Sequence, residues 1–170
     1  MPERAPAAEQ SAYLSRLQLA LSTVSNRVLR VRAEDRPPRT FAAGIGIGPA
    51  IRVQAPRGAH LSLRLNERFR VGSTGDEGKF WSATTVGYQY QLHTDADEEI
   101  LAFHWHPEQG WPDHPHLHIS SGAGTLRPEF HRAHLPTGEV ALEAFLAFVI
   151  RDFSVRPLRA DYATVLAIRT

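Results

Sequence analysis

Apolar residues recur at helical spacing near both ends of the chain and at alternating spacing between them. Leu14, Leu17, Leu21, Val24, Val28 and Val31 follow one another at intervals of three and four, the repeat that keeps side chains on one stripe of a helix. This predicts an N-terminal helix over 9–34, after a disordered lead at 1–8 and before Pro37 and Pro38, which cannot continue it. Arg27, Arg30 and Arg32 then fall at its C-terminal end, where cations suit the helix dipole. In the middle of the chain the period changes. Segments 50–55, 59–65, 81–92, 99–106 and 114–120 are strand-like and are parted by Gly, Pro, Asp and Asn, so 40–120 reads as antiparallel sheet. Leu142, Phe145, Leu146, Val149 and Phe153 restore the helical spacing and predict a helix over 138–154 that ends before Pro157. A short helix around Asp161–Ile168 follows. The expected fold is α+β in a single domain over 1–170: a single antiparallel sheet covered by a long N-terminal helix and a C-terminal helix. The first helix's stripe suits packing on that sheet, or a homodimer through the N-terminal helix.

Within the sheet region one stretch stands apart. FHWHPEQGWPDHPHLHIS, residues 103–120, holds His104, His106, His114, His116 and His118, while His60, His93, His131 and His134 are scattered. Side chains alternate faces along a strand. Leu101, Phe103 and Trp105 therefore share one face and His104 and His106 the other. In the next strand Leu117 and Ile119 oppose His114, His116 and His118. A hairpin with His104 opposite His118 and His106 opposite His116 gathers four imidazoles, with Glu108 and Asp113 in the connecting loop. Crowded imidazoles repel when charged, which depresses at least one pKa and marks a candidate acid–base or metal site.

Composition narrows the chemistry. The chain has 170 residues, 42% hydrophobic and 22% charged, with a net charge of +1 when His is neutral. That balance creates no global field for nucleic acid or membrane. No cysteine is present, which removes disulfides, thiolate metal sites and cysteine nucleophiles, so any metal sits on His, Asp or Glu. The N-terminus lacks the apolar run of a signal peptide and no stretch reaches membrane-spanning length, so a cytoplasmic location without membrane contact is expected. Lys79 is the only lysine; every other fixed cation is an arginine.

Three functions fit these residues. The leading expectation is a metal-free, nuclease-like phosphoester hydrolase acting on RNA or a nucleotide. His104, His106, His116 and His118 supply acid and base, and Lys79, Arg127 and Arg132 bind the phosphate. The second is a transition-metal-binding protein or metalloenzyme holding one divalent ion (Zn, Fe, Mn or Ni) on His104, His106, Glu108, His116 and His118. The third is a non-catalytic protein-interaction module, with Trp105 and Trp111 as anchors. Sequence motifs add resemblances. His114-Pro115-His116-Leu117-His118-Ile119 resembles the alternation of histidine-triad nucleotide hydrolases, which implies a nucleophilic role for His116. His60-Leu61-Ser62 with His118-Ile119-Ser120 resembles the paired motif of two-histidine phosphoesterases. Over 98–160, HWHPE, PHLHIS and HLPTGEVALE resemble uncharacterised bacterial proteins with a PHxH strand and a PTG-helix module, some in toxin–antitoxin-like settings.

Overall fold

The first helix stops well before its apolar stripe does. In the computed structural model, which describes residues 6–34, 40–45, 50–74, 80–110, 112–124 and 133–167, helix α1 spans Pro6–Leu21. Proline at the first helical position suits its fixed φ. The expected helix over 22–34 is not formed. Ser22 and Thr23 turn their hydroxyls back onto the Leu19 and Ala20 carbonyls at 2.6 and 2.7 Å, local bonds that compete with helix propagation. The Gln18 amide then accepts from the Leu29 N–H at 2.8 Å and donates to the Arg27 carbonyl at 2.9 Å. This folds the chain back along the helix, and Arg30–Glu34 becomes strand β1. Val28 and Val31, the expected end of the stripe, are 77% and 42% exposed. The arginines expected at a helix C-terminus thus lie outside any helix, Arg27 in the connecting segment and Arg30 and Arg32 on β1.

Seven further strands follow: β2 Thr40–Ile45, β3 Ile51–Gln54, β4 His60–Thr74, β5 Phe80–Thr94, β6 Glu99–Trp105, β7 His116–Ile119 and β8 Leu135–Pro136. They form one antiparallel sheet in the order β1-β2-β4-β5-β6-β7-β8, with β3 pairing β4 beyond the end of β2. The long strands β4 and β5 outrun their expected bounds and form its centre.

Alternation sorts the two faces. Leu63, Leu65 and Phe69 of β4, Tyr88, Tyr90 and Leu92 of β5, and Leu101 of β6 are buried in the core. Over them lie α1 and α2, the latter spanning Leu142–Asp152. Tyr13 of α1 stacks on Phe69 at 4.6 Å, and Phe145 of α2 meets Tyr90 and Phe103 at 5.5 and 6.1 Å. Helix α2 starts later than its expected bound of 138 because the preceding backbone is spent on the sheet. Thr137 donates to the Pro115 carbonyl at 2.9 Å and Val140 to the Tyr88 hydroxyl at 3.0 Å. A short helix α3, Tyr162–Val165, completes the fold. Among the described residues no helix is long and apolar enough to cross a membrane.

Candidate metal centre

The face of the sheet opposite the helices carries the histidines, and β6 and β7 bring them there. Phe103 and Trp105 pack against the core while His104 faces away; Leu117 does the same on β7, leaving His116 and His118 beside His104. The register differs from expectation by two residues. His104 pairs with His116, and Ala102 with His118. The cause lies after Trp105, where the backbone breaks at His106 (φ −144°, ψ 66°) and Pro107–Gln109 form a 3₁₀ turn. Pro115 gives its carbonyl to Thr137, so β7 starts only at His116. A shift of two preserves which face each side chain takes, so the histidines still converge.

They converge on His116. This residue has no exposed surface. Ring centroids of His104, His106, His118 and His134 lie 5.8, 5.4, 4.9 and 5.0 Å from its own, with His114 at 6.1 Å. Its Nδ1 sits 2.8 Å from the His114 carbonyl. A carbonyl only accepts, so Nδ1 carries the hydrogen and Nε2 is left with a free lone pair. That Nε2 is buried with no hydrogen-bond partner, as are His104 Nε2 and His106 Nδ1. Orphaned buried polar nitrogens are costly, and three in one cluster ask for an external partner. One ring nitrogen from each of His104, His116 and His118 lies within 4.8 Å of the others. Tetrahedral coordination at about 2.0–2.1 Å places ligand nitrogens about 3.4 Å apart, so the rings need to close by little more than 1 Å.

Electrostatics keep these rings neutral. Burial pushes His104 down to about 4, helped by His118, His116 and His106 and opposed by Glu99. His116 is lowered by burial, against its bond to the His114 carbonyl, and then by its histidine neighbours. His118 is lowered by burial, then by His134 and His116. Neutral imidazole is the form that ligates a metal.

The expected site residues divide. His104, His106, His116 and His118 come together. Glu108 is turned to β4, where Arg68 Nη2 donates to its Oε2 at 2.9 Å and Arg70 lies at 3.9 Å. Trp105 packs against the core and donates its indole N–H to the Asp113 carbonyl at 3.3 Å. Lys79, Trp111, Arg127 and Arg132 lie outside the described residues.

Two residues join that alternation did not select. His134, one of the scattered histidines, meets the His118 ring edge-on with centroids 4.4 Å apart; β8 carries it in by pairing Leu135 and Pro136 with Leu117 and His116. Glu99 shares its parity with the core residue Leu101. A β-bulge skips Ile100, however, so that Leu92 pairs with Leu101 and His93 with Glu99. The carboxylate thereby reaches the histidine face, accepting from Ser120 Oγ at 2.5 Å and Gln91 Nε2 at 2.6 Å. Gly122 lets the turn after β7 pass close to the β6 backbone here, since a Cβ on it would sit 2.6 Å from the Glu99 main-chain carbonyl. No family model, curated protein or solved structure matches the chain.

Proposed function

We propose that the protein binds one divalent transition metal through His104, His116 and His118, and uses it as a hydrolytic centre. The observation that carries this reading is the state of His116: buried, its tautomer held by the His114 carbonyl, its other nitrogen unpartnered. A metal-ligating histidine commonly has its second nitrogen held in this way. Three nitrogen ligands suit zinc and leave a fourth position for water. Because all three are neutral, the ion keeps its full charge for polarising that water or a substrate oxygen. Glu99 stands near as the compensating carboxylate, acting on both His104 and His118.

Metal-free acid–base catalysis at neutral pH asks for an imidazole poised near 7. His104 at about 4 and the lowered His116 and His118 favour ligation instead. The test is elemental analysis of untagged protein together with zinc titration. One equivalent of zinc per chain is expected, lost in His116→Ala and in His104→Ala. Wild-type protein that takes up no stoichiometric metal would overturn the reading.

A further inference from the structure

Beside the histidine cluster lies a second, cationic group on the same face. Leu63, Leu65, Glu67 and Phe69 of β4 are buried against the helices. Arg64, Asn66, Arg68 and Arg70 therefore take the histidine face. Arg64 is neutralised by Asp97 at 2.6 Å and Arg52 by Asp95 at 3.2 Å. Arg68 and Arg70 instead share one carboxylate, that of Glu108, at 2.9 and 3.9 Å. The Arg70 Nε–H is buried and has no hydrogen-bond partner.

The sheet directs this pair toward the metal centre. Opposite Arg68 stands Gly87, whose missing Cβ would lie 2.8 Å from the Trp105 carbonyl and 3.9 Å from Arg68 Nη1. The bare glycine lets the guanidinium lie across β5 toward the end of β6. Glu108 belongs to the turn that directly follows His106. A β-bulge at Val86 of β5, opposite the Arg68–Phe69 step of β4, marks the same place, a device found beside functional sites. Strands β4 and β6 are about 10 Å apart at the usual spacing, and the Arg68–Glu108 contact spans that gap.

We infer that Arg68 and Arg70 form an oxyanion-binding pole for the substrate of the adjacent centre, so that the substrate carries a phosphoryl or carboxylate group held by Arg70 while its scissile bond faces the histidines. This rests on the metal-centre reading for the second half only; the anion pole stands on the arginines. Guanidinium forks match such oxygens bidentately, and an anion at Arg70 satisfies the buried Nε–H that Glu108 does not reach.

Calorimetric titrations of the full-length protein with zinc, with inorganic phosphate and with acetate test this, in wild type, Arg70→Gln and Arg70→Lys. Arg70→Gln is expected to weaken phosphate binding at least tenfold while zinc affinity stays within twofold. Arg70→Lys keeps the charge but loses the fork, and is expected to fall between the two; it also serves should the glutamine variant fail to fold. Phosphate binding with weaker acetate binding supports a phosphoester, and the reverse order a carboxylate ligand. Wild-type protein that binds neither anion at millimolar concentration overturns the proposal, as does phosphate affinity unchanged in both variants. Phosphate binding lost in Arg70→Gln in a protein that takes no zinc upholds the anion pole and removes the metal centre.

Discussion

His116 illustrates how one residue acquires a chemical role from its surroundings. Its Nδ1–H is committed to the His114 carbonyl and its Nε2 points into a nest of imidazoles. Truncating it would remove the central member of the proposed ligand set and open a buried cavity. His116→Ala is expected to lower zinc affinity by 100-fold or more, whereas His106→Ala, outside the closest group of three, is expected to cost no more than about tenfold; competition with a chromogenic chelator measures both. The same rings set a pH dependence for the metal-free protein. In the unfolded chain these imidazoles titrate near 6.5, while folded His104 takes its proton only near 4, and His116 and His118 are lowered as well. Between 6.5 and 4 the unfolded state binds more protons. Stability is therefore complete above 6.5, falls as pH drops toward 4, and levels off below. Urea midpoints of chelator-treated protein across that range check this, and a midpoint that is flat or rises toward pH 4 contradicts it.

At the scale of elements, α1 is fastened to the sheet by a polar clamp rather than by apolar contact alone. Glu67 is buried on β4 and accepts from the hydroxyls of Tyr13, of Tyr90 at 2.5 Å and of Thr85 at 3.1 Å. Arg16 of α1 lies 4.0 Å from Glu67 and 3.5 Å from Glu143 of α2. Burial, then the Glu67 charge, pushes the Tyr13 and Tyr90 hydroxyls upward, so both stay protonated donors. Glu67→Ala takes the acceptor from Tyr90 and from the Tyr13–Thr85 pair, whose hydroxyls keep only each other at 2.6 Å, and is expected to destabilise the fold by about 3 kcal/mol, given about 1–3 kcal/mol per unsatisfied buried group. Zinc stoichiometry is expected to persist, because this network lies on the helix side of the sheet. Urea denaturation and zinc titration of the same variant separate the two effects. On the other face the bulge at Ile100 is the decisive element, since it alone turns Glu99 toward the histidines.

For the whole molecule, the proposed metal binding would be linked to folding, because the three histidines come from two strands. Zinc at 100 times its dissociation constant adds about 2.7 kcal/mol to stability. For a chain of this length each kcal/mol moves the melting temperature by about 2–4 °C, so a rise of about 5–10 °C is expected, reversed by chelator and absent in His104→Ala. Differential scanning calorimetry with and without zinc checks it.

The alternation in EILAFHWH and HPHLHIS is a local property, and with it the sequence determined which side chains share the histidine face. The same held for the α+β class and for the apolar face of α2, since periods of two and 3.6 are written residue by residue. Tertiary structure decided the rest. Register depends on where Pro107 and Pro115 end the strands, and it paired His104 with His116 instead of His118. Local hydroxyl bonds and the Gln18 clamp halted α1 although its stripe ran on. His134 entered by strand pairing from a distant segment, and Glu99 by a one-residue bulge that reverses parity. These are long-range or irregular contacts. Their free energy depends on which partners the fold supplies, and no period along the chain encodes that.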